Sequence, residues 1–121
     1  MERLTKAEEP VMQLLWKLKK AFVKELIEEM PEPKPPYNTI SSIIRILEEK
    51  GMVDHQTFGK THQYFPKMSK LKYSQGLFKY LMSDYLEGSY SRLMSFIVDD
   101  KKLSEEEIRK LQDMINKDKD E

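Results

Sequence analysis

At 121 residues the chain is sized for one compact domain or a small domain with an appendage, and 21 basic against 21 acidic residues give it a formal net charge of zero, which argues against a bulk polyanion binder. It has no cysteine, which excludes disulfides and thiolate metal sites and suits a reducing cytoplasm, the expected location. No apolar run approaches the roughly 18–20 residues that span a bilayer, and the N-terminal MERLTKAEEP is too charged for a signal peptide, so no membrane insertion is expected.

Thr5 followed by Glu8 has the spacing of a capping box. Val11, Leu14, Leu15 and Leu18 then recur at helical spacing and predict a first helix. Pro10 implies either a distorted first turn or a regular helix that begins nearer Glu9, with proline at a tolerated early position. KKAF reads as a short connection. Val23, Leu26, Ile27 and Met30 predict a second, shorter helix, which the proline-rich PEPKPP (31–36) stops. A third helix runs from about Tyr37 to Lys50, with Gly51 placed just beyond its C-terminal cap. Val53, Thr57, Phe58, Tyr64 and Phe65 are strand formers, Gly59–Lys60 marks the turn between two strands, and Pro66 closes the unit.

Helices resume from Ser69 or Lys70, where Phe78, Leu81, Met82 and Tyr85 share a face. Gly88 interrupts, and Leu93, Met94, Phe96 and Ile97 predict a shorter helix near 89–98. DDKK reads as a loop. Ser104 with Glu107 is a second capping box, opening a last helix whose stripe is Ile108, Leu111 and Ile115, and NKDKDE reads as a fraying tail. The expected fold is mostly α with a small β-hairpin. Three helices followed by a hairpin is the order of a winged helix-turn-helix, expected over 1–68, with a helical domain over 69–121.

The third helix carries the functional signal. On a wheel of about 100° per residue, Ile40, Ile43, Ile44 and Leu47 form the core face. Asn38, Ser41, Ser42, Arg45 and Glu49 form an outward face, flanked by Thr39 and Ile46. Short polar side chains are mediocre in helix interiors but suit close approach to DNA. Asn pairs with adenine, Ser and Thr bond bases or phosphates, and Arg45 can reach a guanine or a phosphate. The bland alternative, N-terminal capping, would account for Asn38 or Thr39 alone. Between Lys34 and Tyr73 there are seven basic and three acidic residues, so charge is locally positive where overall charge is nil. Gly59, Lys60 and His62 sit at the hairpin tip, placed to grip a backbone or enter a minor groove. His55 and His62 read as two scattered histidines without cysteines or clustered carboxylates, and no metal site is expected.

YNTISSIIRILEEKGMVDH followed by GKTHQYFP, with LTKAEEPVMQLLWKL upstream and LSEEEIRKLQDMI downstream, closely resembles the penicillinase repressor family of the BlaI/MecI type over nearly the whole chain. The resemblance implies an N-terminal winged-helix DNA-binding domain and a C-terminal helical dimerisation domain. It implies dimers that repress β-lactamase or related resistance operons from palindromic double-stranded operators. Asn38, Thr39, Ser41, Ser42 and Arg45 would then lie on the recognition helix, and Gly59, Lys60 and His62 in the wing. In the best-known members a membrane sensor protease triggers cleavage at an Asn–Phe bond; the aligned bond here is Ser95–Phe96, with serine in place of asparagine. The family's copper-responsive branch carries a C-terminal cysteine cluster, which this chain lacks.

The C-terminal helices hold more apolar surface than a short appendage buries alone: Leu77, Phe78, Leu81, Met82, Tyr85, Leu86, Leu93, Phe96, Ile97, Leu111 and Ile115. A homodimer would cover it, and a two-fold pairing matches operator palindromy. The bland alternative is packing onto the chain's own N-terminal domain. No nucleophile–base pair, phosphate loop or metal spacing is present, so neither an enzyme nor a cofactor is expected. The remaining alternative is a winged helix used for protein–protein contact without DNA, which the zero net charge and Glu48 and Glu49 would suit.

Overall fold

The computed structural model describes residues 2–100 and 104–119, with side-chain surroundings described up to Asp99 and from Ser104 to Met114. The elements run α1 (Glu8–Leu18), β1 (Ala21–Phe22), α2 (Val23–Glu28), α3 (Tyr37–Glu49), β2 (Val53–Phe58), β3 (Thr61–Pro66), α4 (Lys70–Asp84), α5 (Tyr90–Asp100) and α6 (Glu105–Lys119). The chain divides into two compact units, Met1–Gln75 and Gly76–Glu121, so the division falls inside α4.

In the first unit the Thr5–Glu8 capping box forms. The Glu8 N–H donates to Thr5 Oγ1 (3.2 Å) and the Thr5 N–H to Glu8 Oε1 (2.8 Å). Pro10 is thereby the third residue of α1, where its missing N–H has no intrahelical partner to lose. Val11, Met12 and Leu15 are buried, while Leu14 and Leu18 are half-buried. They meet Leu26 of α2, Ile40, Ile44 and Leu47 of α3, and Val53 of β2 in one core.

α3 ends as Gly51 predicts. Gly51 has φ +81°, its N–H donates to Glu48 O (3.0 Å), and the Met52 N–H donates to Leu47 O (2.9 Å). This paired arrangement closes a helix at a residue that tolerates the left-handed conformation. The chain therefore leaves α3 directly into β2. Upstream, the Lys34 ammonium donates to the carbonyls of Glu28 (2.8 Å) and Met30 (2.5 Å), satisfying groups that the end of α2 leaves open.

The hairpin pairs β2 with β3 antiparallel, from Val53↔Pro66 to Phe58↔Thr61, and Gly59 (φ +62°) opens its two-residue turn. The sheet has three strands, in the order β1-β3-β2, rather than the expected two. Ala21 and Phe22, expected as a plain connection, pair with Tyr64 and Gln63. Trp16 and Tyr73 tie the end of this unit down. The Trp16 indole donates to Met68 O (2.9 Å), the Leu4 N–H donates to the Tyr73 hydroxyl (3.0 Å), and the two rings lie 5.8 Å apart.

In the second unit α4 ends at Asp84, and the turn after it, with Glu87 (φ +52°) and Gly88 (φ +73°), folds back so that the Gly88 N–H donates to Met82 O (2.7 Å). The Arg92 N–H donates to Ser89 Oγ (3.2 Å) at the start of α5. The Ser104–Glu107 box opens α6. Two boundaries differ from expectation. α5 runs on to Asp100, so Asp99 and Asp100 are helical rather than loop, while Lys101 and Lys102 lie outside the described residues. α6 continues to Lys119, into the segment expected to fray.

One ion pair links the two ends of the core. Lys50, the C-cap of α3, donates to both carboxylate oxygens of the buried Glu8, at 2.8 and 3.1 Å. Burial alone would raise the Glu8 carboxyl. The hydrogen bonds from Lys50 and Thr5, with the Lys50 charge, outweigh it and hold the group below its ordinary 4.5. A carboxyl lowered by folding stabilises fully above its unfolded value and loses that contribution as pH falls through the folded one. Glu8→Gln, which keeps the shape, is expected to lower stability by roughly 1–3 kcal/mol at neutral pH. In urea melts the deficit should close as the pH falls below the ordinary glutamate range.

Candidate nucleic-acid interface

α3 is held by its inner face, and that decides what its outer face offers. Ile40, Ile44 and Leu47 are at most 4% exposed, and each such burial contributes roughly 1.5–3 kcal/mol. Asn38, Thr39, Ser42 and Arg45 are exposed along the opposite side, together with Glu49 and Ile46. No side chain caps the N-terminus, where Pro36 precedes Tyr37. The Thr39 and Ile40 N–H groups turn back to Pro36 O, at 3.1 and 3.4 Å.

Ser41 departs from the wheel, which puts it on the outward face. It is only 9% exposed. It lines a cleft of about 410 Å³ with Phe22, Val23, Lys24, Glu25, Tyr37, Arg45, Lys60, Thr61, His62 and Tyr64. The reason is α2, which packs against α3 and covers the flank on which Ser41 sits. The cleft brings together four of the eight residues singled out from the sequence: Ser41, Arg45, Lys60 and His62. Asn38, Thr39 and Ser42 lie outside it on the exposed side of α3, and Gly59 sits in the exposed wing turn.

The cleft is electropositive in its make-up, with Lys24, Arg45 and Lys60 against Glu25, and His62 beside them. Lys24 and Tyr64 are additions that the sequence reading did not single out. Lys24 belongs to α2, whose pattern marks it only as a solvent-facing position. Tyr64 is 4% exposed, between the half-buried Gln63 and the exposed Phe65 of β3. Burial, and next the Glu48 carboxylate, push its phenol above the ordinary value, while Arg45 opposes them.

The two histidines are not scattered. The hairpin register puts His55 opposite Tyr64 and Thr57 opposite His62. The imidazoles of His55 and His62 lie 4.2 Å apart, and His55 lies 5.7 Å from the Tyr64 ring. His62 Nδ1 is 3.2 Å from the Thr57 hydroxyl, and His55 Nδ1 is hydrogen-bonded to Glu48. On the wing's other side Phe22 and the half-exposed Phe58 meet edge to face at 6.0 Å.

In the second unit Met82 and Leu86 are buried within the chain itself. Leu77, Leu93, Ile97 and Leu111 are half-buried. Phe78, Leu81, Tyr85 and Phe96 stay 42–63% exposed, an unusual amount of apolar surface for so small a unit. The side chain of Ile115 lies outside the described residues. Ser95 and Phe96 are both exposed on α5, with the Ser95 hydroxyl donating to Ser91 O (3.1 Å). Among the described residues no helix is long and apolar enough to cross a membrane.

Comparison with known proteins agrees with this arrangement. The family model described as penicillinase repressor matches residues 4–117. The methicillin resistance regulatory protein MecI of Staphylococcus aureus (strain N315) is 30% identical over 117 residues, covering 94% of each chain. The penicillinase repressor of Bacillus licheniformis is 23% identical over 118 residues, covering 97% of this chain and 92% of its own. The solution structure of the DNA-binding domain of the repressor BlaI superimposes with a TM-score of 0.51 at 26% identity, covering 60% of this chain and 94% of that one.

The contrast between adjacent serines is directly measurable, because the chain has no cysteine of its own. Ser42→Cys should react with a thiol reagent roughly tenfold faster than Ser41→Cys, as exposure governs thiol reactivity. Equal rates in the folded proteins would contradict the burial of Ser41.

Proposed function

The chain belongs to the penicillinase repressor family, whose members are transcriptional repressors, and from that premise we propose that it acts as a homodimer on a palindromic operator of a β-lactamase, antibiotic-resistance or related operon. The observation that carries this reading is the pairing of an exposed polar helix face with a basic cleft on one rigid unit. Asn38, Thr39, Ser42 and Arg45 present hydrogen-bonding groups of major-groove length. Lys60 and His62 stand at the wing to hold the phosphate backbone, with Gly59 allowing the tight turn. Ser41 serves at the margin, from inside the cleft.

Base contacts and phosphate contacts separate in binding data. Asn38→Ala and Ser42→Ala should reduce the preference for operator over random DNA, by about 1–3 kcal/mol for a lost bidentate base contact. Lys60→Ala should weaken all sequences alike and lower the salt slope by about one. Gel shifts on the chain's own promoter region at several salt concentrations would read both effects. Equal affinity for operator and random DNA would favour the protein-contact reading of the winged helix instead.

Residues 69–121 are proposed as the dimerisation domain. Phe78, Leu81, Tyr85 and Phe96 are exposed candidates for the interface, Leu77, Leu93, Ile97 and Leu111 border them, and Met82 supports them from within. Linking two winged helices raises the affinity for a two-half-site operator without a new base contact. Cleavage at Ser95–Phe96 by a membrane sensor protease would sever α6 and break that linkage. Because the bond lies inside α5, it becomes a protease substrate only on local unwinding of that helix. Incubation with the cognate protease should yield a cut after Ser95 by mass spectrometry and a dimer-to-monomer shift by sedimentation. An intact chain under inducing conditions would sink the cleavage step.

A further inference from the structure

Where the end of α3 meets the root of the wing lies a cluster that neither base reading nor backbone grip uses. Glu48, near the C-terminal end of α3, and Asp54 and His55, at the start of β2, each contribute one donor atom, and all three atoms lie within 4.8 Å of one another. Glu48 and His55 are half-buried, and Asp54 is exposed at the sheet edge. The Asp54 carboxylate is folded back along its strand, accepting the His55 backbone N–H at 2.8 Å. His55 turns Nδ1 toward Glu48 and is backed by the His62 and Tyr64 rings. Two carboxylates thus lie close to one imidazole, Glu48 bonded to its Nδ1 and Asp54 to the backbone N–H of the same residue, an arrangement whose like charges a cation would relieve.

We propose that Glu48, Asp54 and His55 form a binding site for one divalent first-row transition-metal ion of the zinc type. The donor set is matched to that class. The imidazole disfavours magnesium and calcium, which prefer all-oxygen shells, and the carboxylates supply the charge. Ligands about 2.1 Å from a tetrahedral ion stand roughly 3.4 Å apart, so the three side chains need only rotamer adjustments to close on it. The exposed side at Asp54 leaves the remaining coordination position to water. His62 backs the ligand ring from 4.2 Å and is not one of the three converging donors, its Nδ1 facing the Thr57 hydroxyl. A bound ion would add a further tie between α3 and β2, which already meet through the turn at Gly51–Met52, through core packing and through the Glu48–His55 hydrogen bond. On the operator reading, and resting on it, the ion would fix the angle between recognition helix and wing.

The site itself is tested without DNA, so its failure and that of the operator reading are distinguishable. Untagged full-length protein, stripped with a chelator, is titrated with zinc by calorimetry and with cobalt(II) by visible absorption. The expected result is one ion per chain, at least about tenfold weaker binding in Asp54→Asn and in His55→Gln, and no response to magnesium. Asp54 is exposed, so Asp54→Asn keeps the variant series readable if His55→Gln perturbs the wing; circular dichroism monitors both. Absence of saturable one-to-one binding, or binding that Asp54→Asn leaves unchanged, would overturn the proposal.

Discussion

The inner anchorage of α3 is the constraint on which the rest depends. Ile40, Ile44 and Leu47 are sunk into a core completed by α1, α2 and β2, so the rotation of the helix about its axis is set. The Lys50–Glu8 pair does the same for its position along that axis. It joins the C-cap of the helix to a carboxylate that Thr5, just ahead of α1, has already oriented. With rotation and position fixed from within, Asn38, Thr39, Ser42 and Arg45 are presented outward without any contact of their own needing to hold them there. A surface built this way is preorganised, and a partner that bound it would not have to order it.

The wing depends on the same anchorage. Gly51 ends α3 and sends the chain into β2 with no intervening loop, so the strand direction follows from the helix end. β1 then fastens the far edge of β3 through Ala21↔Tyr64 and Phe22↔Gln63, immediately before α2 begins. The wing is therefore pinned on both sides, and the cleft between it and α3 collects Lys24, Arg45, Lys60 and His62. Lys24, Arg45 and Lys60 make the charge locally positive there although the net charge of the chain is zero. The acidic residues that balance the total are elsewhere, three of them in the first turn of α6.

Much of this was legible in residue order. Helical periodicity located α1 to α3, the two capping boxes and Gly51 marked helix ends, and Gly59–Lys60 marked the wing turn, because each is a local signal with a local cause. What escaped was what only packing decides. Two residues are too few to show a strand period, so β1 is a strand solely because β3 lies beside it. Ser41 sits about 100° from the core centre on the wheel, yet it is buried in a cleft that it shares with residues of α2 and β3. His55 and His62 are seven positions apart in sequence and become neighbouring rings, tilted by 41°, through the register of the hairpin. The cluster of Glu48 with Asp54 and His55 likewise needs the turn after α3 to bring a helix end over a strand.

The central claim is that α3 and the wing engage duplex DNA as a pair related by two-fold symmetry. Methylation protection of the chain's own promoter region by the intact protein tests it most directly. A symmetric dimer would leave two symmetry-related patches of major-groove guanine protection, about one helical turn (10–10.5 base pairs) or a multiple apart. Protection no different from that on unrelated DNA would contradict it.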